Sequence, residues 1–363
     1  MFLIIVEFSL VIFGLIISWI LYNKFPFVHS TNNAKKYPKI TIVIPARNEE
    51  KNLPLILGDL KKQEIHPFEI ICIDDCSIDE TAKIAQDFGV KVISIIDKPS
   101  EWVGKSWACQ RGAEEASTDI LMFIDADVRL ESDSIGRLLQ TYFDNNCTIS
   151  VQPYHMISKG YEQLSMFFNF IQISSTGITS SSNKYFGLYG PIIMINKDDY
   201  LKMGGHSSVK ESVIEDVDLG IRMKDSGIPY KLYIGDKDIR FRMYSSGLKD
   251  LINGWLKNFA TGASKMSTLG FLAVFFWITS CLSVPIHIIF LSFSFKPLLL
   301  SIYVFLYFIW VFEIYRIASK IGNFKFSTMI FYPISLFFFL IVFILSFFKK
   351  ILGLKTSWKG RKV

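Results

Sequence analysis

Ile120-Leu-Met-Phe-Ile-Asp-Ala-Asp127 is the stretch that decides the fold of this chain. Its first five residues are apolar, which is typical of a short buried strand. Two carboxylates follow, one residue apart, where the strand must end. Such a pair supplies the oxygen ligands that a hard divalent cation prefers, and the cation can in turn hold a diphosphate. The triplet Asp125-Ala-Asp127 is common on its own, so its meaning depends on the rest of the chain.

Strand patterns and helix patterns alternate through the first third of the chain. This alternation predicts βαβ units and a mostly parallel sheet of the α/β class. The predicted strands are 39–44 (stopped by Pro45), 68–73, 92–96 and 120–124, and the predicted helices are 48–61, 81–88 and 106–116.

Three polar motifs directly follow predicted strands: Pro45-Ala-Arg-Asn-Glu49, Asp74-Asp-Cys-Ser-Ile-Asp79 and Asp125-Ala-Asp127. Ligands of open parallel sheets bind beyond the carboxyl ends of the strands, so these motifs should line one ligand-binding edge. Asp74 and Asp79 have a simpler alternative use, because either can cap the helix that begins near residue 81. Asp75, at a strand tip, can accept the imide N–H of uracil and thereby select the base.

The apolar residues are concentrated at the two ends of the chain. Half of the 363 residues are hydrophobic and 15% are aromatic. Residues 2–22 are long enough to span a hydrocarbon core, and residues 266–295, 297–312 and 326–348 contain no Asp, Glu, Lys or Arg. A cleaved signal peptide is the alternative for the N-terminus, but the segment carries Glu7 and lacks a basic n-region. The pattern predicts an anchored, multi-pass protein of the cell membrane with a soluble middle.

Basic residues beside the apolar runs indicate the orientation. Lys24, Lys35 and Lys36 place the soluble middle in the cytoplasm by the positive-inside rule. The loop around 316–325 and the tail 349–363, with six Lys or Arg and no acid, carry the same signal. Three full C-terminal crossings cannot satisfy every signal. Either one segment is re-entrant or interfacial, or the orientation signal of the tail's charges is overridden. We favour a re-entrant or interfacial segment, and the segments containing Pro285 and Pro333 are the candidates.

The cysteines indicate the redox compartment of the chain, and the net charge indicates the class of its partners. Five cysteines without a CxxC pair suit reduced cytosolic thiols better than a disulfide framework or a zinc site. The net charge of +6 comes largely from the tail, which favours anionic lipid headgroups over nucleic acid as partners.

Residues 248–259 predict an amphipathic helix next to the membrane region. Apolar residues recur from Leu248 at i, i+3, i+4, i+7, i+8 and i+11, with polar residues on the opposite face. We prefer a helix that lies in the bilayer interface, where Trp255 would suit the depth. A surface helix docked on the protein core is the alternative.

The chain contains four motifs in this order: Pro45-Ala-Arg-Asn-Glu49, Asp74-Asp-Cys-Ser-Ile-Asp79, Asp125-Ala-Asp127 and Glu215-Asp-Val-Asp-Leu-Gly-Ile-Arg222. Together they resemble the motifs of family 2 glycosyltransferases of the GT-A fold. The resemblance spans about residues 39–244, and Gly104-Lys-Ser-Trp-Ala108 is similar to the family's Gly-Lys-x-x-Ala segment near the donor, although Gln110 stands where many members have Asn. Ser150-Val-Gln-Pro-Tyr-His155 and Trp358-Lys-Gly-Arg361 resemble bacterial glycosyltransferases of carotenoid acids (diaponeurosporenoate type); the second also resembles ceramide glucosyltransferase-like enzymes.

The resemblance implies roles for individual residues. Asp127 would bind Mg²⁺ or Mn²⁺ that bridges the donor diphosphate and neutralises the UDP leaving group, while Asp125 holds the ribose or the metal through water. Asp216 would be the general base toward an acceptor hydroxyl or carboxyl, with Glu215 orienting the loop or the acceptor. One base without an evident nucleophile implies a single displacement with inversion. The implied donor-binding residues are Pro45, Ala46, Glu49, Asp75, Lys105 and Asp125.

Several residues have alternative interpretations. Lys105 can meet the diphosphate or be a solvated lysine at a helix start, and we expect Arg222 to form a structural salt bridge rather than to contact phosphate. We expect His206 to be a cap-region residue rather than a catalyst. His155 is a candidate acceptor contact, and residues 187–190 are a candidate acceptor wall by analogy.

These observations predict a transferase that moves a single sugar from a UDP-sugar, with UDP-glucose preferred, to a membrane lipid such as a carotenoid acid. Ceramide or diacylglycerol and polyprenyl phosphate are alternative acceptors. The Gln-x-x-Arg-Trp motif of processive relatives is missing, which favours a single transfer. A non-catalytic lipid-binding scaffold and a transporter are alternatives of other classes. The predicted parts are an anchor (1–23), a catalytic domain (37–245), an amphipathic interfacial helix (246–263), transmembrane or re-entrant segments (266–348) and a basic cytoplasmic tail (349–363).

Overall fold

The computed structural model describes residues 2–29, 37–103, 105–180, 185–263, 265–294, 296–352, 357–358 and 361–362. Lys35, Lys36, Gly104 and parts of the tail motif Trp358-Lys-Gly-Arg361 lie outside these residues. The chain divides into two compact units. We call them the sheet unit (Pro26–Met156, Tyr185–Met243 and Lys355–Val363) and the helical unit (Met1–Phe25, Ile157–Lys184 and Tyr244–Leu354).

A seven-stranded sheet forms the centre of the sheet unit, in the order β3-β2-β1-β4-β8-β6-β9. Its neighbours pair in parallel except at β8, which runs antiparallel to both β4 and β6. The predicted α/β class with a mostly parallel sheet is therefore confirmed. A smaller sheet has the order β5-β10-β7, and two strands near the C-terminus, β11 and β12, pair with each other. The strands are β1 (Ile40–Ala46), β2 (Glu69–Asp75), β3 (Lys91–Ile95), β4 (Ile120–Ile124), β5 (Val128–Leu130), β6 (Thr148–Gln152), β7 (Tyr154–His155), β8 (Ile192–Asn196), β9 (Tyr230–Ile234), β10 (Ile239–Phe241), β11 (Ser357–Trp358) and β12 (Arg361–Lys362).

The described α-helices belong partly to the sheet unit and partly to the helical unit. Helices α2–α5, α7 and α8 belong to the sheet unit, and α1, α6 and α9–α13 belong to the helical unit. The helices are α1 (Phe2–Leu21), α2 (Leu53–Lys61), α3 (Thr81–Asp87), α4 (Ser106–Glu115), α5 (Ser134–Asn145), α6 (Met166–Ser175), α7 (Lys197–Lys202), α8 (Glu215–Asp225), α9 (Leu248–Ala263), α10 (Thr268–Ser292), α11 (Pro297–Ile321), α12 (Phe326–Ile330) and α13 (Tyr332–Ile351).

The start of α2 differs most from its sequence prediction. The helix begins at Leu53 instead of residue 48. Asn48 has a φ of 52°, in the left-handed region, which a helix cannot use. Strand β1 also continues through Pro45 and Ala46, two residues beyond its predicted end. The prediction for β4 is confirmed at both ends.

Helix α4 packs closely on the sheet through a glycine. A Cβ atom at Gly112 would lie 2.2 Å from Val43 Cγ1 on β1 and 3.3 Å from Ile73 Cγ1 on β2. Only a residue without a side chain allows this approach. The contact fixes α4 above β1 and β2, and it thereby fixes the N-terminal end of α4 near the carboxyl edge of the sheet.

Among the described residues, three helices of the helical unit, α10, α11 and α13, are long and apolar enough to cross a membrane. The described side chains of α1 form a shorter apolar stretch, Glu7–Leu21, so the N-terminal anchor stays a prediction. Helix α1 nevertheless packs tightly in this unit. A Cβ at Gly14 would lie 2.1 Å from Ser280 Cβ on α10, so the two backbones approach closely.

Helix α11 is longer than the uncharged run 297–312 predicts. It continues to Ile321 past Glu313, Arg316 and Lys320, and the first two of these charges neutralise each other: Arg316 Nη2 lies 2.6 Å from Glu313 Oε1. Ser18 Oγ donates to the same Glu313 oxygen at 2.8 Å, and Arg316 Nη1 donates to the Tyr22 carbonyl at 2.8 Å. Charges in an apolar helix are tolerated when they are paired in this way.

The two proline-containing segments differ in structure. Pro285 lies inside the continuous helix α10. The predicted segment 326–348 is divided into α12 and α13, and Pro333 lies in the first turn of α13, where its missing N–H costs little. The proposal of a re-entrant segment stays a prediction, with the α12–α13 break as its structural candidate.

Helix α9 uses its apolar face for packing within the helical unit. The Trp255 ring stacks on Phe168 of α6 with centroids 4.7 Å apart, and Leu251 is fully buried. Ser346 Oγ of α13 donates to the Leu256 carbonyl at 2.8 Å. These contacts favour the docked-helix alternative over immersion of Trp255 in the bilayer interface. Residues 157–184, which include α6, also group with the helical unit instead of with the predicted catalytic domain 37–245.

We predict that Gly112→Ala destabilises the sheet unit. The new methyl group must displace Val43 or separate α4 from the sheet, which costs about 1–3 kcal/mol for overpacking. The measurement is the thermal unfolding midpoint of the full chain in detergent. Gly58→Ala in α2 is the matched control, because no atom lies within 4 Å of its added Cβ. Equal midpoints for both variants would contradict the predicted packing of α4.

Candidate active site

The carboxyl ends of β1, β2 and β4 lie at one edge of the sheet, where β8 also begins, because β8 runs in the opposite direction. The loop after β4 is tied to the start of β8 by a hydrogen bond from the Asp125 N–H to the Pro191 carbonyl, at 2.9 Å. The sequence therefore brings the Asp125-Ala-Asp127 turn beside Gly190-Pro191, although the two lie far apart along the chain.

Lys105 immediately precedes α4 and reaches across this edge. Its Nζ lies 2.6 Å from Asp125 Oδ1 and donates to the Gly190 carbonyl at 3.1 Å. Burial alone would lower the pKa of Lys105, but the carboxylates of Asp125 and Glu215 outweigh burial and raise that pKa. Lys105 is therefore a firmly charged cation, and not the solvated lysine of the alternative interpretation.

Asp216 lies in the first turn of α8 and is held from two sides. Its Oδ2 accepts the Gly190 N–H at 3.0 Å, and its Oδ1 accepts the Val217 N–H at 3.0 Å. Burial raises the pKa of Asp216, against the opposing effects of the Lys105 charge and of these two N–H groups. Gly190 thus joins the two charges, since its carbonyl binds Lys105 and its N–H binds Asp216.

The loop 187–190 is shaped to fit against α8. Gly187 has a φ of 78°, and a Cβ at this position would lie 3.0 Å from Val217 Cα. The Leu188 N–H donates to the Asp216 carbonyl at 3.2 Å. Ser150 Oγ on β6 accepts the Tyr189 N–H at 2.6 Å and donates to the Tyr189 carbonyl at 2.9 Å. These bonds fix the loop that touches Asp216.

The loops after β1 and β2 support each other beside this cluster. Arg47 Nη1 donates to the Asp75 carbonyl at 2.7 Å. The Asn48 N–H donates to Ser77 Oγ at 2.9 Å, and the Ile78 N–H donates to Asn48 Oδ1 at the same distance. Asp75, at the tip of β2, is buried. The left-handed conformation of Asn48 is therefore used to lock the two loops together.

Glu49 and Asp79 contribute to the same bracing. Glu49 Oε2 accepts from Asn52 Nδ2 at 2.7 Å, and the Glu49 N–H donates to Thr81 Oγ1 at 2.8 Å. Asp79 Oδ1 accepts the Thr81 N–H at 3.1 Å, at the start of α3, in agreement with the capping role expected for Asp79. Burial would raise the pKa of Asp79, but the hydrogen bonds from Thr81 and Glu50 lower it overall.

The donor set for a metal ion is small. Within the part of the chain that the structure describes, no group of three or more His, Cys, Asp or Glu side chains forms a metal cage. Asp125 and Asp127 lie in the turn between β4 and β5, and a Cβ at Gly190 would lie 3.1 Å from both Lys105 Nζ and Asp216 Oδ2. Two carboxylates in one turn fit a hard cation that takes further oxygen ligands from a bound molecule.

Comparisons with known proteins agree with this geometry. Residues 41–203 match the family described as Glycosyl transferase family 2. A 4,4'-diaponeurosporenoate glycosyltransferase of Staphylococcus haemolyticus is 36% identical over 252 residues, which cover 67% of each chain. The enzyme of the same name from Staphylococcus aureus is 31% identical over 332 residues, 89% of this chain and 88% of that one. The chain belongs to glycosyltransferase family 2. 

The fold of this glycosyltransferase is also found in a solved structure. The mannosyltransferase PcManGT from Pyrobaculum calidifontis, in complex with GDP-Man and Mn²⁺, has a TM-score of 0.56 and 13% identity, with coverage of 93% of this chain and 96% of that one. The predicted GT-A fold is thus confirmed. The match to the family ends before α8, so the roles of Glu215 and Asp216 remain proposals.

Sequence reasoning missed a buried network beneath the site of the glycosyltransferase. Tyr200 Oη lies 2.9 Å from His206 Nδ1 and 3.1 Å from Gln110 Oε1, and the same Gln110 oxygen accepts the Ser207 N–H at 3.1 Å. Burial, with the charge of Lys105, lowers the pKa of His206 to about 3, so this histidine is neutral. The substitution of Gln110 for the family's common Asn has a structural use, since Gln110 ties α4 to the turn 205–209.

Two other residues with roles predicted from the sequence, His155 and Arg222, do not take part in the contacts described above. His155 is buried on β7 beside Phe241, with ring centroids 5.3 Å apart. Arg222 was expected to form a salt bridge, and this prediction is wrong for the described residues, among which Arg222 makes no ion pair. The reason is its position on the exposed side of α8.

We predict that Gly190→Ala impairs sugar transfer while the chain remains folded. Its methyl group would press on both Lys105 Nζ and Asp216 Oδ2 and move two groups that must be placed accurately, which lowers kcat by about tenfold or more. The measurements are kcat and the thermal midpoint. Gly58→Ala again serves as the control. Unchanged kcat in Gly190→Ala would contradict the assignment of this cluster to the active site.

Proposed function

We propose that the chain transfers a single sugar, with inversion, from a UDP-sugar to a membrane lipid at the cytoplasmic face. UDP-glucose is the proposed donor, and a carotenoid acid is the first choice of acceptor. The acceptor proposal is supported by the names of the two Staphylococcus relatives. The match to this chain covers two thirds or more of the length of each relative. Ceramide, diacylglycerol and polyprenyl phosphate are the alternative acceptors.

One observation carries the proposal: a single residue, Gly190, links the group proposed for the donor side to the group proposed for the acceptor side. Its carbonyl binds Lys105, which in turn pairs with Asp125, and its N–H binds Asp216. A single displacement with inversion needs the leaving group and the attacking oxygen held on opposite sides of one carbon atom. A non-catalytic scaffold has no need for a charged lysine and a carboxyl of raised pKa held together in this way.

On the donor side, Asp75 would accept the uracil imide N–H, with Pro45, Ala46 and Glu49 on the neighbouring loop. Lys105 would contact the diphosphate, and Asp125 would hold the ribose or a metal-bound water. A divalent cation, Mg²⁺ or Mn²⁺, bound by Asp127 and by donor oxygens, would supply neutralisation of the departing diphosphate. The complex of PcManGT with GDP-Man and Mn²⁺ has the same fold and is compatible with this arrangement.

On the acceptor side, Asp216 would take the proton of the attacking group, and Glu215 would orient the acceptor or the loop. A raised pKa makes Asp216 a better base than an ordinary aspartate. The nearby Cys109 thiol is buried, and burial raises its pKa, so it is a poor nucleophile. A single in-line displacement with inversion is the reaction that this set of groups supports.

The apolar helices support access to a lipid acceptor. Helices α10, α11 and α13 would hold the chain in the cell membrane, and the basic residues beside the apolar runs favour a cytoplasmic catalytic domain. A soluble donor and a water-insoluble acceptor can then reach the same enzyme. A reporter fused to the C-terminal tail tests the orientation, and an external tail would contradict a re-entrant segment.

We predict that, with an acceptor that attacks through a hydroxyl group, Asp216→Asn lowers kcat about a hundredfold or more, because general base catalysis contributes roughly 10²–10⁴-fold. The measurement is transfer from radiolabelled UDP-glucose by the full chain in lipid nanodiscs. Asp218→Asn, in the same first turn of α8, is the matched control and should remain active. Equal losses in both variants would point to a structural effect on α8 instead.

The pH dependence provides a second readout of the same prediction. Asp216 acts as a base only when it is deprotonated, so activity should fall as the pH is lowered through its pKa. Because that pKa is raised, the fall should occur at a higher pH than for an ordinary aspartate, whose pKa is about 4. This acid limb should be absent from the residual activity of Asp216→Asn. An acid limb of the same midpoint in the variant would assign it to another group.

We predict that expression in a carotenoid-producing host yields a glycosylated carotenoid acid. The measurement is mass spectrometry of extracted lipids after addition of labelled UDP-glucose, UDP-galactose or UDP-N-acetylglucosamine to membranes. Membranes from the same host without this chain are the control for host enzymes. Label only in a sphingolipid, diacylglycerol or polyprenyl phosphate would reject the carotenoid acceptor, and label only from another sugar would reject UDP-glucose.

A further inference from the structure

Lys105 forms an ion pair with Asp125, two residues before the proposed metal ligand Asp127. Its Nζ lies 2.6 Å from Asp125 Oδ1, with both side chains less than a third exposed. The ammonium group has a second fixed partner in the Gly190 carbonyl at 3.1 Å. Lys105 is thus not a flexible surface charge that moves away at no cost, and any cation bound in the Asp125-Ala-Asp127 turn has to coexist with it.

A divalent cation that enters this turn alone meets an unfavourable field. Two like charges a few ångströms apart repel strongly where water is partly excluded. The turn itself offers two carboxylates, Asp125 and Asp127, and one of them is already neutralised by Lys105. Metal binding without a donor is therefore opposed both by repulsion and by the loss of the ion pair.

A bound diphosphate changes this balance. Its negative oxygens supply ligands for the cation and, at the same time, a new partner for the ammonium group, as in other sites where lysine binds phosphate. Lys105 can then leave Asp125 without becoming an unpaired buried charge. The absence of a side chain at Gly190 lets the ammonium group lie close to the backbone there, since a Cβ would lie 3.1 Å from Lys105 Nζ.

We propose that Lys105 acts as an internal counter-ion that blocks Asp125 in the metal-free site and moves to the donor diphosphate when donor and metal bind together. This proposal rests on the proposed function and deepens it, because it makes metal binding conditional on the nucleotide. By linkage, the metal strengthens nucleotide binding by the same factor by which the nucleotide strengthens metal binding.

The test measures Mn²⁺ binding by electron paramagnetic resonance and UDP binding by calorimetry, on the full chain in detergent. In the unsubstituted chain, we expect UDP to strengthen Mn²⁺ binding on the order of tenfold or more. In Lys105→Gln, Mn²⁺ alone should bind about tenfold more tightly than in the unsubstituted chain, UDP alone more weakly, and the coupling between them should be lost. Lys105→Arg, which keeps the charge, should retain the coupling.

Controls separate this proposal from a general charge effect and from misfolding. Lys91→Gln removes a lysine that pairs with Glu115 at 3.1 Å at the start of β3, the end of the strand away from the site, and it should leave both affinities unchanged. Lys105→Met, which keeps the apolar stem, repeats the test if Lys105→Gln has a lowered thermal midpoint.

The outcomes distinguish the proposal from the function on which it rests. Metal-coupled UDP binding that persists unchanged in Lys105→Gln and Lys105→Met would overturn the counter-ion role and leave the proposed function standing. Binding of UDP in the unsubstituted chain without any effect of Mn²⁺ would overturn both the coupling and the metal-dependent reaction. Tighter Mn²⁺ binding in Lys91→Gln as well would assign the effect to net charge, against Lys105.

Discussion

The ion pair between Lys105 and Asp125 is the interaction on which the site depends. Three carboxylates, those of Asp125, Glu215 and Asp216, lie near one lysine, and carboxylates partly shielded from water are unfavourable without a counter-charge. Lys105 supplies that charge and also binds the Gly190 carbonyl, while the Gly190 N–H holds Asp216. One side chain at the start of α4 thereby fixes the end of β4, the approach to β8 and the first turn of α8.

Much of the sheet unit was predictable because its signals are local. Apolar runs bounded by polar turns located β1 to β4, and β4 was predicted at both ends. The start of α2 was not predictable from periodicity, since it depends on the left-handed Asn48 and its bonds to the loop after β2. The antiparallel β8 between β4 and β6, and the grouping of α6 with the membrane-type helices, depend on pairings between distant segments that no local pattern encodes.

The candidate site shows the same division between residue identity and residue contact. The resemblance to a family was sufficient to select Asp125 and Asp216, and the fold brings Asp216 to Gly190 directly and Asp125 to it through Lys105. It was not sufficient to predict that Lys105 joins them, because that contact links segments 20 and 85 residues apart. The Gln110–Tyr200–His206 network was also out of reach, since its only sequence signal was an unexpected glutamine.

The chemistry of the acceptor determines how much of the rate depends on Asp216. A hydroxyl group has to lose its proton as it attacks, so a carboxylate of raised pKa assists it directly. A carboxylic acid with an ordinary pKa of about 4 is already ionised at neutral pH, so it needs no base and instead brings a further negative charge to a site that holds several. Its approach then depends on positive charge near the reacting carbon, which makes Lys105 and a bound cation more important than proton removal. A hydroxyl acceptor and a carboxylic acid acceptor therefore place opposite demands on the same two residues, Asp216 and Lys105.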